Sequence, residues 1–250
     1  MPYLILSDIH ANLEAHQAVL EDAHGRYDRI LCLGDLVGYG ADPNAIVEWA
    51  RESATVIIRG NHDRVNSGVD SGDLDGIESF NPSAQSSTVW TRNALLSNNR
   101  EYLERLPRGP LPYRPLPDQG VDLIHGSPLD EDDYVVTASD AAPLLAYLGA
   151  RLTFFGHTHR QGGFRLARKS VAALSSERPL EIEPDYFYLV NPGSVGQPRD
   201  GDPRAAYALY SPEEGAVEYR RVAYDVDRAA AKIRAAGLPE FLAARLHEGL

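Results

Sequence analysis

The first 63 residues constrain most strongly what this chain can fold into. Three short apolar runs stand there, Tyr3 to Ser7, Arg29 to Leu33 and Ala54 to Ile58, each rich in Ile, Leu or Val and each reading as a buried strand. Between the first two, Leu13, Ala15, His16, Val19, Leu20 and Ala23 recur at helical spacing, from about Asn12 to Gly25. Between the second and third, Asp42 can cap a helix that starts on Pro43 and runs to about Arg51. This βαβαβ order predicts parallel strands with right-handed crossovers.

Beyond residue 63 the pattern changes. A polar Gly/Ser/Asp stretch to Ser79 precedes helices expected at Pro82 to Leu96 and Asn98 to Leu106, then a Pro-rich passage; residues 64–117 read as an inserted helical lid. Strands return at Val121 to Ile124 and Leu152 to Phe155, with a helix expected at Ala141 to Leu148 between them. Tyr186 to Val190, Ala205 to Tyr210 and Val217 to Val222 alternate and are broken by Pro and Gly, predicting an antiparallel second sheet. Residues 225–250 are helical by propensity. The 250 residues are read as a single domain, with 64–117 as its insertion.

A net charge of -12 is the wrong sign for a protein that coats nucleic acid, so no stable nucleic-acid complex is expected. No apolar run approaches the roughly 18 residues of a membrane span, and the first residues lack the pattern of a signal peptide; a cytoplasmic protein is expected. Cys32, the single cysteine, sits among Ile and Leu and reads as a small buried hydrophobe.

Five polar clusters each directly follow an expected strand: Asp8-Ile9-His10, Gly34-Asp35, Gly60-Asn61-His62-Asp63, His125-Gly126 and Gly156-His157-Thr158-His159. Taken singly each has a bland explanation, a turn cap for Asp8 or Asp35, a turn residue for Asn61, a satisfied core residue for any one His. Together they put five of the eight histidines immediately beyond strands, where sites in open α/β sheets assemble. In extended chain residues i and i+2 share a side, so Asp8 with His10, and His157 with His159, can each face one space. Gly34, Gly60 and Gly156 precede the ligands, where positive φ or close approach is wanted. Carboxylate, imidazole and amide oxygen suit Mn²⁺, Fe or Zn²⁺ better than a thiolate-seeking metal. Seven such side chains exceed the needs of one ion and suit two that share a bridging carboxylate. Two divalent ions against Asp8 and Asp35 leave a positive site, attractive to a phosphate ester.

The order Asp-x-His, Gly-Asp, Gly-Asn-His-Asp, His, Gly-His-x-His resembles the calcineurin-like metallophosphoesterase superfamily, and Asn191 to Arg199 is similar to the closing segment of its small prokaryotic phosphodiesterase branch. The resemblance implies a four-layer αββα fold of the α/β class, a two-sheet mixed β-sandwich flanked by helices. It implies that Asp8, His10, Asp35 and His159 hold one metal, and Asp35, Asn61, His125 and His157 the other, with Asp35 as the bridge. Mn²⁺ is the first candidate, with Fe, Zn²⁺ or Ni²⁺ behind it. His62 would then be free of metal and within reach of substrate, donating to a phosphoryl oxygen or protonating the leaving alkoxide, with Asp63 holding its ring and favouring its protonated form. Asn12 and Arg199 are the candidates for substrate contact. Asp130 to Asp133 is expected to be a solvated loop near the site mouth.

The expected activity is hydrolysis of a small phosphodiester by attack of metal-bound hydroxide. The alternatives are a phosphomonoesterase, a nucleotide pyrophosphatase of the dinucleoside polyphosphate type, or a non-catalytic scaffold that keeps the fold and metals. His62 weighs against the scaffold, which has no use for an unligated histidine beside a complete ligand set. Natural substrate and oligomeric state are not readable from the residues.

Overall fold

The computed structural model describes residues 2–68, 77–116 and 119–250. Part of the polar stretch before Ser79, residues 69–76, and residues 117–118 of the Pro-rich passage lie outside them. Chain order is β1 (Tyr3–Leu6), α1 (Leu13–Asp22), β2 (Arg29–Cys32), α2 (Pro43–Ser53), β3 (Val56–Ile57), α3 (Asn61–Ser67), a 3₁₀ turn at Ile77–Ser79, α4 (Pro82–Ala94), α5 (Ser97–Glu104), β4 (Leu111–Leu116) and β5 (Gln119–Leu123). It continues with α6 (Ala138–Ala141), a 3₁₀ helix at Ala142–Tyr147, β6 (Leu152–Phe154), β7 (Gly162–Ala167), β8 (Ser170–Leu174), β9 (Leu180–Glu181), β10 (Phe187–Asn191), β11 (Ala205–Ser211), β12 (Ala216–Val222), α7 (Val226–Ala235) and α8 (Glu240–Glu248).

Two six-stranded mixed sheets result, ordered β3-β2-β1-β11-β12-β9 and β4-β5-β6-β10-β7-β8. Alternation along each strand explains the layers. Tyr3 and Ile5 of β1 enter the core between the sheets with Val121, Leu123, Phe154 and Tyr188; Leu4 and Leu6 enter a second core under Ala15, Val19, Ile46 and Val47 of α1 and α2. A strand buried on both faces reads as an unbroken apolar run, which is why β1 and β2 were legible. Cys32 lies fully buried in that second core. On the far side, Leu144 packs with Phe155, Phe164 and Leu189, completing an αββα sandwich.

The expected antiparallel second sheet is corrected. β10 joins the second sheet between parallel β6 and antiparallel β7, while β11 and β12 join the first, with Tyr3 paired to Tyr210 at the free edge of β1. Alternation again decides this, since Tyr207 and Leu209 face the helices and Ala208 and Tyr210 face the other sheet. The helix expected at Ala141 to Leu148 is a single α turn followed by 3₁₀ structure; Pro143 has no N–H to continue the α ladder. Asp42 precedes α2 without a capping bond from its side chain, and its carboxylate instead accepts from Lys232 Nζ at 2.7 Å.

Candidate active site

Parallel register carries the clusters to one rim. Leu6 pairs with Cys32 and Cys32 with Ile57, so the chain leaves β1, β2 and β3 side by side at Asp8, Asp35 and Asn61. From the second sheet β5, β6 and β10 run parallel to one another and deliver His125, His157 and Asn191. The backbone turns sharply there: φ is 54° at Asp8, 49° at His10, 54° at Asp35, 64° at His157 and 57° at His159. Each such left-handed residue costs about 1–2 kcal/mol and persists only where its surroundings over-determine it. Here they do: Asp8 N–H donates to Gly34 O at 3.1 Å, His10 N–H to Asp35 O at 2.9 Å, and His157 N–H to Asp8 Oδ2 at 3.2 Å. The convergence expected from extended i, i+2 alternation is thus reached by left-handed residues. Close approach explains two of the glycines, since a Cβ on Gly60 would stand 2.1 Å from Asp35 Oδ1 and one on Gly156 2.0 Å from Ser7 Oγ.

Asp8, His10, Asp35 and His159 offer candidate ligand atoms that all lie within 4.8 Å of one another, and Asp35, His125 and His157 form a second such group. His10 Nε2 is 3.1 Å from His159 Nε2 and 3.5 Å from Asp35 Oδ2, and His125 Nε2 is 3.3 Å from the same Oδ2 and 3.2 Å from Asn61 Oδ1. Asp35 belongs to both groups. His157 and His159 fall in different ones. Nδ1 of His10, His125 and His159 faces the carbonyls of Val37 (2.9 Å), Leu33 (2.8 Å) and Gln197 (2.6 Å), which turns each Nε2 toward the cluster. His157 is turned the other way, Nε2 to Asp132 O at 3.2 Å, leaving Nδ1 toward the site.

Burial drives His10 and His159 well below the usual imidazole range and His157 down to about 3, so all three stand neutral, the form that binds cations. Burial alone would raise Asp35 and lower His125. Their mutual attraction reverses both, holding Asp35 well below the carboxylate range and pushing His125 up to about 10. Asp35 Oδ2 is buried without a hydrogen bond, which fits an oxygen that ligates a divalent cation. The donor set of carboxylate, imidazole and amide oxygen is that of a hard to borderline metal.

A model of the calcineurin-like phosphoesterase superfamily domain matches residues 1–215. The chain belongs to that superfamily. Its fold and its ligand cluster are those of a metal-dependent phosphoric ester hydrolase. An uncharacterized protein of Methanocaldococcus jannaschii is 35% identical over 246 residues, 98% of this chain and 97% of its own. A metallophosphoesterase from Sphaerobacter thermophilus, 39% identical, superposes with a TM-score of 0.83 over 100% of this chain and 99% of that one. A hypothetical protein from Pyrococcus horikoshii, 22% identical, shares the fold with a TM-score of 0.78 over 100% and 98% of the two chains.

In this phosphoesterase the closing segment binds the halves of the site together. Ser194 Oγ donates to Asp8 O at 2.8 Å, Asn191 Nδ2 to Gly156 O at 2.9 Å and to Thr158 Oγ1 at 3.0 Å, and Arg199 N–H to His159 O at 3.1 Å. Two expected roles are corrected. The Asp63 carboxylate does not hold the His62 ring; Oδ1 accepts from Leu36 N–H at 2.9 Å and Val37 N–H at 3.3 Å, and Oδ2 from Gly60 N–H at 3.0 Å, clamping the β2 loop to the start of α3. Nor does it favour a protonated imidazole, since burial pushes His62 down to about 4. Asn12 spends its amide internally, capping α1 through Ala15 N–H at 3.1 Å and donating to Gly196 O at 2.8 Å.

His62 borders a cavity of about 300 Å³ walled by Tyr39, Phe80 and Tyr134 and floored by Asn61 and His157. Its Nε2 lies 3.0 Å from the Tyr39 hydroxyl. Arg199 holds its guanidinium 5.6 Å above the Tyr39 ring. Tyr39, Phe80 and Tyr134 escaped the sequence reading, which had put Asp132 near the site mouth; the one signal was Tyr39 set between Gly38 and Gly40 just past Asp35. The acidic run is only partly solvated. Glu131 is 3% exposed and paired with Arg59 at 3.2 Å and Arg64 at 2.5 Å, which presses Asp132 against His157.

Proposed function

We propose that this phosphoesterase hydrolyses small phosphodiesters at a two-ion centre, Asp8, His10, Asp35 and His159 holding one divalent cation and Asp35, Asn61, His125 and His157 the other. One observation carries the reading: the buried Asp35 Oδ2, without a hydrogen bond, stands 3.5 Å from His10 Nε2 and 3.3 Å from His125 Nε2, where a bridging carboxylate is needed. Bound there, Mn²⁺ or a similar ion would supply Lewis-acid charge and a water of lowered pKa.

The chain's own residues do the rest. Arg199 offers a planar cation to phosphoryl oxygens beside Tyr39. His62 presents Nε2 to the cavity and donates to a phosphoryl oxygen or to the departing alkoxide. Asp132 lines the cavity with its carboxylate neutralised by Arg64 Nη2 at 2.8 Å. A space of about 300 Å³ is at the small end of ligand pockets, in keeping with a small ester. The same proposal places the enzyme in the cytoplasm; no helix among the described residues is long and apolar enough to cross a membrane.

The test is a pair of aryl esters with one leaving group, a phosphodiester and the matching monoester, assayed with Mn²⁺. The diester should show the greater kcat/KM, and His62→Ala should lower kcat by about 10² to 10⁴ with metal content unchanged. A tenfold monoester preference, or loss of metal from the His62 variant, would overturn the corresponding part.

A further inference from the structure

The His62 ring is enclosed on nearly every side, yet among the described residues it has one polar contact. Phe80 packs against it with ring centroids 4.7 Å apart and planes 32° apart, and the His10 ring stands edge-on at 4.9 Å. Its Nδ1 is seated on Gly38: a Cβ there would lie 2.5 Å from that atom, which is buried without a hydrogen-bond partner. Only Nε2 is bonded, to the Tyr39 hydroxyl at 3.0 Å. Turning the ring over would exchange that nitrogen for a carbon, and among the described residues no second polar contact resists the turn. The Tyr39 bond therefore decides which atom of His62 meets the cavity.

Tyr39 is itself held in place. It is 6% exposed, its φ of 62° is unusual for a bulky residue, and its ring packs on both His10 and His62. Its backbone N–H donates at 2.6 Å to Ser87 Oγ, and Ser87 belongs to α4 of the helical insertion and is fully buried. Ala84, one turn earlier on α4, lines the same cavity and packs with Tyr39. Phe80, which covers the His62 face, lies just before α4.

We infer that Tyr39 is the positioning residue for His62 and that α4 sets Tyr39 through Ser87, so the inserted helix aims the histidine at the substrate. The inference rests on the donor role proposed for His62 and assigns a purpose to the insertion. A hydroxyl at Nε2 pairs with that nitrogen and not with a ring carbon, so it keeps one ring orientation, with Nε2 at the cavity.

The experiment compares the Mn²⁺-loaded protein with Tyr39→Phe, Ser87→Ala and His62→Ala across aryl phosphodiesters of rising leaving-group pKa. Tyr39→Phe should lower kcat about 10- to 100-fold for the poorest leaving groups, with KM little changed and the loss shrinking as the leaving group improves. Ser87→Ala should show the same slope with a smaller loss. Nitrogen shifts of the His62 ring in Zn²⁺-loaded protein should report one ring orientation, becoming a mixture in Tyr39→Phe. A loss uniform across the series, or no loss, with an unchanged ring orientation overturns the inference while a steep His62→Ala series leaves the donor role standing. A flat His62→Ala series overturns both.

Discussion

A buried histidine without partners must stay neutral to be tolerated, and His16 is one. It is 2% exposed, both ring nitrogens lack hydrogen bonds, and its ring stands edge-on to Trp49 with centroids 4.0 Å apart. Burial pushes its pKa down to about 4 from 6.5. The sign follows from proton counting: between these values the unfolded chain binds a proton that the native one refuses, so stability present above pH 6.5 is lost as pH falls toward 4. The difference amounts to roughly 3 kcal/mol. We expect His16→Leu to gain about that much relative to the wild type between pH 7.5 and pH 4, as read from urea unfolding at each pH. Parallel stability curves for the two proteins would rule the account out. Sequence periodicity placed His16 on a helix face, but not its lack of partners, because partners come from other elements. The left-handed φ of Asp8, His10 and Asp35 was hidden for the same reason: in non-glycine residues it is imposed by backbone bonds from neighbouring loops.

At the scale of elements, α3 is seven residues long and begins at a proposed ligand, too short to hold itself. Asp63 holds it, taking three backbone N–H groups from two loops. In Asp63→Asn one carboxylate oxygen becomes an NH₂ facing a donor, leaving a buried N–H unsatisfied at a cost of about 1–3 kcal/mol. The thermal midpoint should then fall by roughly 2–10 °C for a chain of this size, and metal affinity should fall with it as Asn61 shifts. A variant with an unchanged midpoint and metal content but a lower kcat would return Asp63 to a catalytic role. Strands feeding the site were legible because burial on both faces leaves an apolar run. Of those away from it, β11 and β12 were legible by alternation, but β7, which interleaves Arg165 between Phe164 and Leu166, and β4, which carries Pro112 and Pro115, tolerated because it is a sheet edge, were not. The ligand residues were legible for a different reason, since strand ends at one rim bring them together whatever the loops do.

For the molecule as a whole, the two sheets meet at a cluster whose charges are costly without cations. Asp8 and Asp35 are buried with five histidine rings around them, and the chain carries a net charge of -12. Burial pushes Asp8 up to about 6, a sign that its charged form wants a partner. Cations that bind only the folded chain stabilise it, by about 2.7 kcal/mol for each site at a hundredfold excess over Kd. For this size that is roughly 5–10 °C in thermal midpoint for each ion. Elemental analysis after Mn²⁺ loading should approach two ions per chain, with the midpoint rising in two stages as concentration is raised through each Kd. Asp35→Asn removes a ligand from both groups at once, so it should lower occupancy to one ion or fewer and flatten the midpoint curve. An Asp8→Asn variant should weaken one stage and spare the other, because Asp8 belongs to the first group alone. A ceiling of one ion that survives Asp35→Asn would mean the carboxylate does not bridge, and the two groups would then be alternatives for a single cation.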